Sequence, residues 1–170
     1  VGADLVGAVE IDDRALVYAV ELRRVVADEA ESRERGPVAR REARLAEIEL
    51  PLGPASYTID FTVVRRLLGE AIRPMDHRLL LPGKHPSLAI ERRGEEIEVR
   101  HGRRRWVFPA EDCRVLPLAN TTAEALARHV GDALRASLAA EAACRPVRLR
   151  VELEEARGCR AIVEWAAPCA

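Results

Sequence analysis

Two spacings of apolar residues alternate along this chain, and each predicts its own kind of element. Leu5 to Ile11 is a short apolar run that stops at Asp12-Asp13, and Ala15 to Val26 is a longer one. In the second, Leu16, Tyr18, Val20 and Leu22 fall on one side of a strand, with Val17, Ala19, Glu21 and Arg23 on the other. Asp12-Asp13-Arg14 then predicts the turn of a hairpin. Ala43 to Leu52 is ambiguous: Leu45 and Ile48 have helical spacing, while Ala46, Ile48, Leu50 and Leu52 alternate. Pro51 and Gly53-Pro54 would break a helix, which favours a strand.

The period changes at Asp60. Phe61, Val64, Leu68 and Ile72 form one helical stripe, Asp60 can accept from the free N–H groups of the first turn, and Pro74 stops the helix. The chain then runs directly into Met75-Asp76-His77. Leu88 to Ile90, Ile97 to Val99 and Trp106 to Phe108 alternate around turns at Arg93-Gly94 and His101-Gly102, predicting a β-ribbon over 86–109 between two helices. Thr121 as N-cap with Glu124 three residues on reads as a capping box. Leu126, Val130, Ala133, Leu134 and Leu138 line the helix that follows. Val147, Leu149, Val151 and Leu153 alternate with Arg148, Arg150, Glu152 and Glu154, and Arg157-Gly158 turns that strand into a last one, Ala161 to Trp165. Two helices on one face of an antiparallel sheet is an α+β layer arrangement, expected as one domain over 1–170.

Composition narrows the function classes. Net charge is −1, so there is no global attraction to nucleic acid or to an anionic membrane, and a nucleic-acid role would need a local patch. The basic stretch His101 to Arg105 reads as a solvated hairpin tip, and no nucleic-acid partner is expected. No apolar run approaches the ~20 residues of a membrane span, and a cytoplasmic protein is expected. The four cysteines show no Cys-x-x-Cys pair. Residues 28–42 form a charge-dense segment, broken by Gly36-Pro37, that reads as a solvated loop.

Few residues are placed to do chemistry. Asp76-His77 sets a carboxylate beside an imidazole, either as an acid–base pair or as a turn in which both groups satisfy backbone. Glu155 continues the parity of the inward residues of its strand. If that strand runs straight, its carboxylate faces the core side and could hold the N–H and amino groups of a heterocycle; otherwise it is wet. Thr121 and Thr122 stand at a helix N-terminus, which suits a polar ligand and equally suits capping. The four histidines, His77, His85, His101 and His129, lack His-x-His spacing, and no metal site is legible.

Taken in order, these motifs resemble the family of 6-pyruvoyl-tetrahydropterin and 6-carboxytetrahydropterin synthases, over about Ala43 to Trp165. Tyr57-Thr58-Ile59-Asp60-Phe61 is similar to the family's Gly-x-Val-x-Asp-Phe opening of the first helix, without its glycine. Met75-Asp76-His77-Arg78-Leu79-Leu80 resembles its Leu-Asp-His segment, and Asn120-Thr121-Thr122-Ala123-Glu124 its Pro-Thr-x-Glu-Asn helix start. Val151 to Ala161 resembles its closing strand, with Glu155 in the glutamate's place. The resemblance implies a T-fold whose sheets join between subunits into a barrel, a homo-oligomer, and pterin sites at subunit interfaces. Glu155 would anchor the ring, Thr121 or Thr122 would help hold it, and Asp76-His77 would belong to the proton-transfer machinery.

The family also implies zinc held by three histidines, and a cysteine upstream of the second and third. Here those places fall near Glu21 and Arg40-Arg41-Glu42, no histidine precedes His77, and no cysteine precedes Cys113. The expectation is therefore a pterin-synthase-like protein that binds a pterin-like heterocycle without standard zinc chemistry. The alternatives are an active lyase with an altered site, and a structural oligomer or partner of an active paralogue.

Overall fold

A computed structural model of the chain describes residues 3–12, 15–22, 42–51, 59–141, 146–156 and 159–166, with side chains at 48–49, 59–60, 62–141, 146–154 and 160–166. Three strands come first: β1 (Ala3–Asp12), β2 (Ala15–Leu22) and β3 (Glu42–Pro51). Helix α1 (Phe61–Ile72) follows, then β4 (Leu79–Pro82), the ribbon strands β5 (Ala89–Arg93), β6 (Glu96–His101) and β7 (Arg104–Pro109), and β8 (Cys113–Leu116). Helix α2 (Ala123–Glu141) and the strands β9 (Arg148–Ala156) and β10 (Cys159–Ala166) complete the order. The charged segment expected over 28–42 lies outside the described residues up to Glu42, which opens β3.

The main sheet has the order β1-β2-β3-β9-β10, with every neighbouring pair antiparallel. Its pairing explains the ambiguous spacing in β3. Leu45 pairs with Val151 and Ile48 with Leu149, because the register shifts between Leu45 and Glu47 and leaves Ala46 as an extra residue. A β-bulge thus brings two residues three apart to register positions on one face, a spacing that resembles a helix when read from sequence alone.

One face of this sheet is apolar. Ile48, Leu149, Val151, Leu153, Ala161 and Val163 are buried beneath the two helices. Helix α1 contributes Val64, Leu67, Leu68 and Ile72, and α2 contributes Leu126, Ala127, Val130, Leu134 and Leu138. Full burial of a residue such as Leu134 or Leu149 is worth about 1.5–3 kcal/mol, so this layer contact holds the domain together. Val147, expected on the inward face, lies before the strand and is exposed. The opposite face is a charge ladder in which Arg148 pairs with Glu164 at 3.0 Å, and Glu152 with Arg150 at 3.2 Å and Arg160 at 3.1 Å.

The short strands β4 and β8 form a parallel pair that the apolar pattern did not reveal. Gly83 and Lys84 extend it by donating to the carbonyls of Leu116 and Leu118 at 2.8 and 2.9 Å. Gly83 has little choice of side chain, since a Cβ would lie 2.8 Å from Val115 Cγ1 and 3.0 Å from the Leu116 carbonyl oxygen. The ribbon departs from one of these strands and returns to the other. Its inner face shares a second small core with them, made by Leu81, Ile97, Val99, Ala110 and Cys113.

Candidate functional site

Asp60 caps α1 as its sequence implies, accepting from Thr62 N at 2.8 Å and Thr62 Oγ1 at 2.7 Å. These bonds, the hydroxyl's first, hold its carboxyl below the usual carboxylate range. At the other end Pro74 does not stop the chain abruptly. A 3-10 turn, Arg73–Met75, follows the helix and buries Met75. Asp76 N then donates to Arg73 O at 3.3 Å, and Arg78 N to Met75 O at 3.4 Å.

This turn forces His77 into the left-handed region, with φ 54°. For a residue with a Cβ that conformation costs of order 1–2 kcal/mol, and such strain persists only where the surrounding structure over-determines it. The Asp76 side chain is mostly buried at 16% exposure, whereas His77 is 67% exposed, and its Nε2 lies 3.8 Å from Asp76 Oδ1. That separation suits a loose ion pair and is too long for a hydrogen bond. The pair therefore offers a sheltered carboxylate and a solvent-facing imidazole.

The two threonines open α2, with the cap one residue later than expected. Thr122 is the N-cap: its Oγ1 accepts from Ala125 N at 3.4 Å and its carbonyl from Leu126 N at 3.0 Å. The box read with Thr121 and Glu124 does not form in that register, because the residue three beyond the true cap is Ala125. Thr121 N is satisfied by Asn120 Oδ1 at 2.8 Å. Thr121 is half-buried and Thr122 exposed.

Glu155 lies in β9, and the strand does not run straight through it. Glu154 pairs with Arg160 and Ala156 with Cys159, which leaves Glu155 as the extra residue of a bulge. A bulge redirects the side chains at and beyond it, so simple parity no longer fixes the direction of Glu155. Its side chain lies outside the described residues, as does the turn expected at Arg157-Gly158.

Pro74 and Met75 also line an open cleft of about 270 Å³ between α1, β8 and α2, with Arg114, His129 and Ser137 among its other walls. His129 is half-buried in its wall. Burial pushes its imidazole below the ordinary histidine range, the charge of Arg114 adds to the effect, and Asp132 opposes it. Cys113 is a buried thiol, pushed up mainly by burial.

The histidines stand in four separate places. His77 is in the turn after α1, His85 precedes β5 with its Nδ1 accepting from Ser87 N at 3.1 Å, His101 ends β6, and His129 is on α2. Among the described residues no three His, Cys, Asp or Glu side chains are grouped to hold a metal ion. The donor set does not fit a tri-histidine zinc site. Nor is any described helix long and apolar enough to cross a membrane.

Comparison with known proteins converges on one family. A family model described as 6-pyruvoyl tetrahydropterin synthase matches residues 42–165. A Methanocaldococcus jannaschii protein provisionally named a 6-carboxy-5,6,7,8-tetrahydropterin synthase is 31% identical over 75 residues, a match spanning 44% of this chain and 46% of that relative's length. The fold is similar to crystalline 6-pyruvoyl tetrahydropterin synthase from Plasmodium vivax, with a TM-score of 0.66 and 17% identity over 76% of this chain and 80% of that one. The Plasmodium falciparum protein gives 0.62 and 19% over the same shares.

Proposed function

This chain belongs to the 6-pyruvoyl tetrahydropterin synthase family, and from that premise we propose that it binds a pterin-like heterocycle at subunit interfaces without the family's standard zinc chemistry. One observation carries the reading. Its four histidines are dispersed over the turn after α1, the segment before β5, the end of β6 and α2, so within one chain these four do not gather into the three-imidazole set that a zinc-held Lewis acid needs. Glu155 accepts the ring N–H and amino group as a bidentate pair, and Thr121 or Thr122 supplies a further polar contact. Asp76 and His77 then form the remaining half of a proton-transfer site.

Assembly as a homo-oligomer belongs to the same proposal. Both β1 and β10 are edges of the main sheet, and pairing edge to edge between copies would close a barrel. The conformation of His77 favours a second reading, an active 6-carboxytetrahydropterin or 6-pyruvoyl-tetrahydropterin synthase-type lyase with an altered site. Strain held at a candidate acid–base pair suits a group kept ready for use.

Titration calorimetry of the purified protein with neopterin and with biopterin tests the proposal. Saturable heat that is lost in Glu155→Ala is expected. No heat, or identical behaviour of the wild type and the variant, leaves the structural oligomer as the better account. Stoichiometric zinc by elemental analysis would overturn the loss of metal and favour the lyase.

A further inference from the structure

The ribbon carries mixed charge at one end and only basic charge at the other. Around the Gly94 turn Glu91, Glu95 and Glu96 are mixed with Arg92 and Arg93, whereas residues 100–106 hold four arginines, a histidine and a tryptophan with no acid among them. The net charge of −1 averages this asymmetry away. The strand order β5-β6-β7 and its register decide which of these groups share a face.

On the outer face, Arg100 and Arg105 are committed. Both bond the Glu98 carboxylate, Arg105 Nε at 2.8 Å, and Arg93 approaches it at 3.6 Å, so that Glu98 is only 3% exposed. These arginines hold the Glu98 carboxyl below its ordinary range. The inner face differs. Val99 pairs with Ile90 and Trp106, and His101 pairs with Arg104. Val99 is buried in the small core, but Trp106, in the same row, is 40% exposed. Beyond the reach of that core the face therefore continues as an indole, then the His101–Arg104 row, then Arg103 at the tip.

We propose that this end of the ribbon is a docking surface for single-stranded nucleic acid, with a base stacked on Trp106 and backbone phosphates on Arg103 and Arg104. An exposed aromatic with an uncommitted cation in the next row of its face and another at the adjoining tip is the combination such a ligand needs. Stacking supplies sequence-tolerant contact, and the arginines supply the salt-dependent term. A duplex keeps its bases paired and stacked, and offers the indole nothing.

Fluorescence anisotropy of a short labelled oligoadenylate with the full chain tests the proposal, with the duplex form and heparin as comparison probes. Expected is saturable binding at about 50 mM salt that weakens steeply by about 200 mM, with quenching of tryptophan emission. Arg103→Ala/Arg104→Ala should lower affinity at least about tenfold and reduce the salt slope by about 0.7 for each lost phosphate contact. Trp106→Ala should lower affinity about tenfold, while Trp106→Phe, which keeps both the packing and a stacking ring, should retain most of it. Three results would each overturn the proposal: no saturable binding at low salt, equal binding by all variants, or heparin and duplex bound as well as the single strand regardless of Trp106.

Discussion

The indole Nε1 of Trp165 donates to Asp132 Oδ1 at 3.0 Å, fastening the last strand to α2 across the width of the layer. The guanidinium groups of Arg128 and Arg135 each lie 5.9 Å from the ring centroid. Between them the ring rests on Gly131, where a Cβ would lie 2.1 Å from Cη2. Gly131 weakens helix α2 locally, and the close approach of the indole requires it.

Gly131→Ala sets two known effects against each other. Helix propensity would gain about 1 kcal/mol, and overpacking against a rigid indole costs about 1–3 kcal/mol. A lower urea midpoint is expected for the single variant. In a Trp165→Leu background the same change should become stabilising, since the obstruction is gone.

Stability should depend on pH through His129. Its folded pKa lies below the ordinary value of 6.5, because burial and Arg114 disfavour the charged form. The unfolded chain therefore binds the proton more readily, so this contribution is complete above that value and is lost as pH falls below it. Thermal melts across this range should show a decline for the wild type. His129→Gln should flatten that part of the profile.

The left-handed turn at His77 predicts an order of tolerance. His77→Asn, whose side chain tolerates that conformation, should leave stability within about 0.5 kcal/mol, whereas the β-branched His77→Val should lose about 1–2 kcal/mol. Equal melting of the two variants would show that the turn relaxes on substitution. In calorimetry with neopterin, neither variant should abolish the binding proposed for Glu155.

Cys113 should resist alkylation in the folded protein. Its thiol is buried and pushed up mainly by burial, and the thiolate is the reactive form. Peptide-resolved mass spectrometry after iodoacetamide treatment at neutral pH should show slow modification at this position, and full modification once urea unfolds the chain.

What could be read from the sequence follows from how each element makes its pattern. α1 and α2 were legible because their stripes, Val64 to Ile72 and Leu126 to Leu138, repeat long enough to fix the period. So were β9 and the ribbon, where alternation is regular and turns carry glycines at positive φ, Gly94 and Gly102. The pair β4 and β8 was not, since four residues such as Leu79–Pro82 show no period and parallel pairing leaves no local mark. Bulges at Ala46 and Glu155 are equally silent, because an extra residue declares itself only against a partner strand.

The candidate site divides in the same way. Asp76 and His77 could be named from sequence, but the strain at His77 comes from the 3-10 turn that buries Met75. The cleft beside His129 left only a faint trace in His129, Ala133 and Ser137, spaced four apart on α2. Arg114 joins them from β8, an element the pattern did not show.

The parallel pairing of β4 with β8 limits what can be removed from this fold. Pro82 lies opposite Leu116 and Cys113 opposite Leu79, so the chain leaves the pair at one end and re-enters at the other. A tight turn cannot make that return, since parallel neighbours need a crossover of roughly a dozen residues or more. Excising the ribbon while keeping both strands parallel would thus require another crossover connection in its place, not a two-residue turn. Ribbon and pair are therefore coupled in the fold, since the segment that carries the ribbon is also the crossover that keeps β4 and β8 parallel.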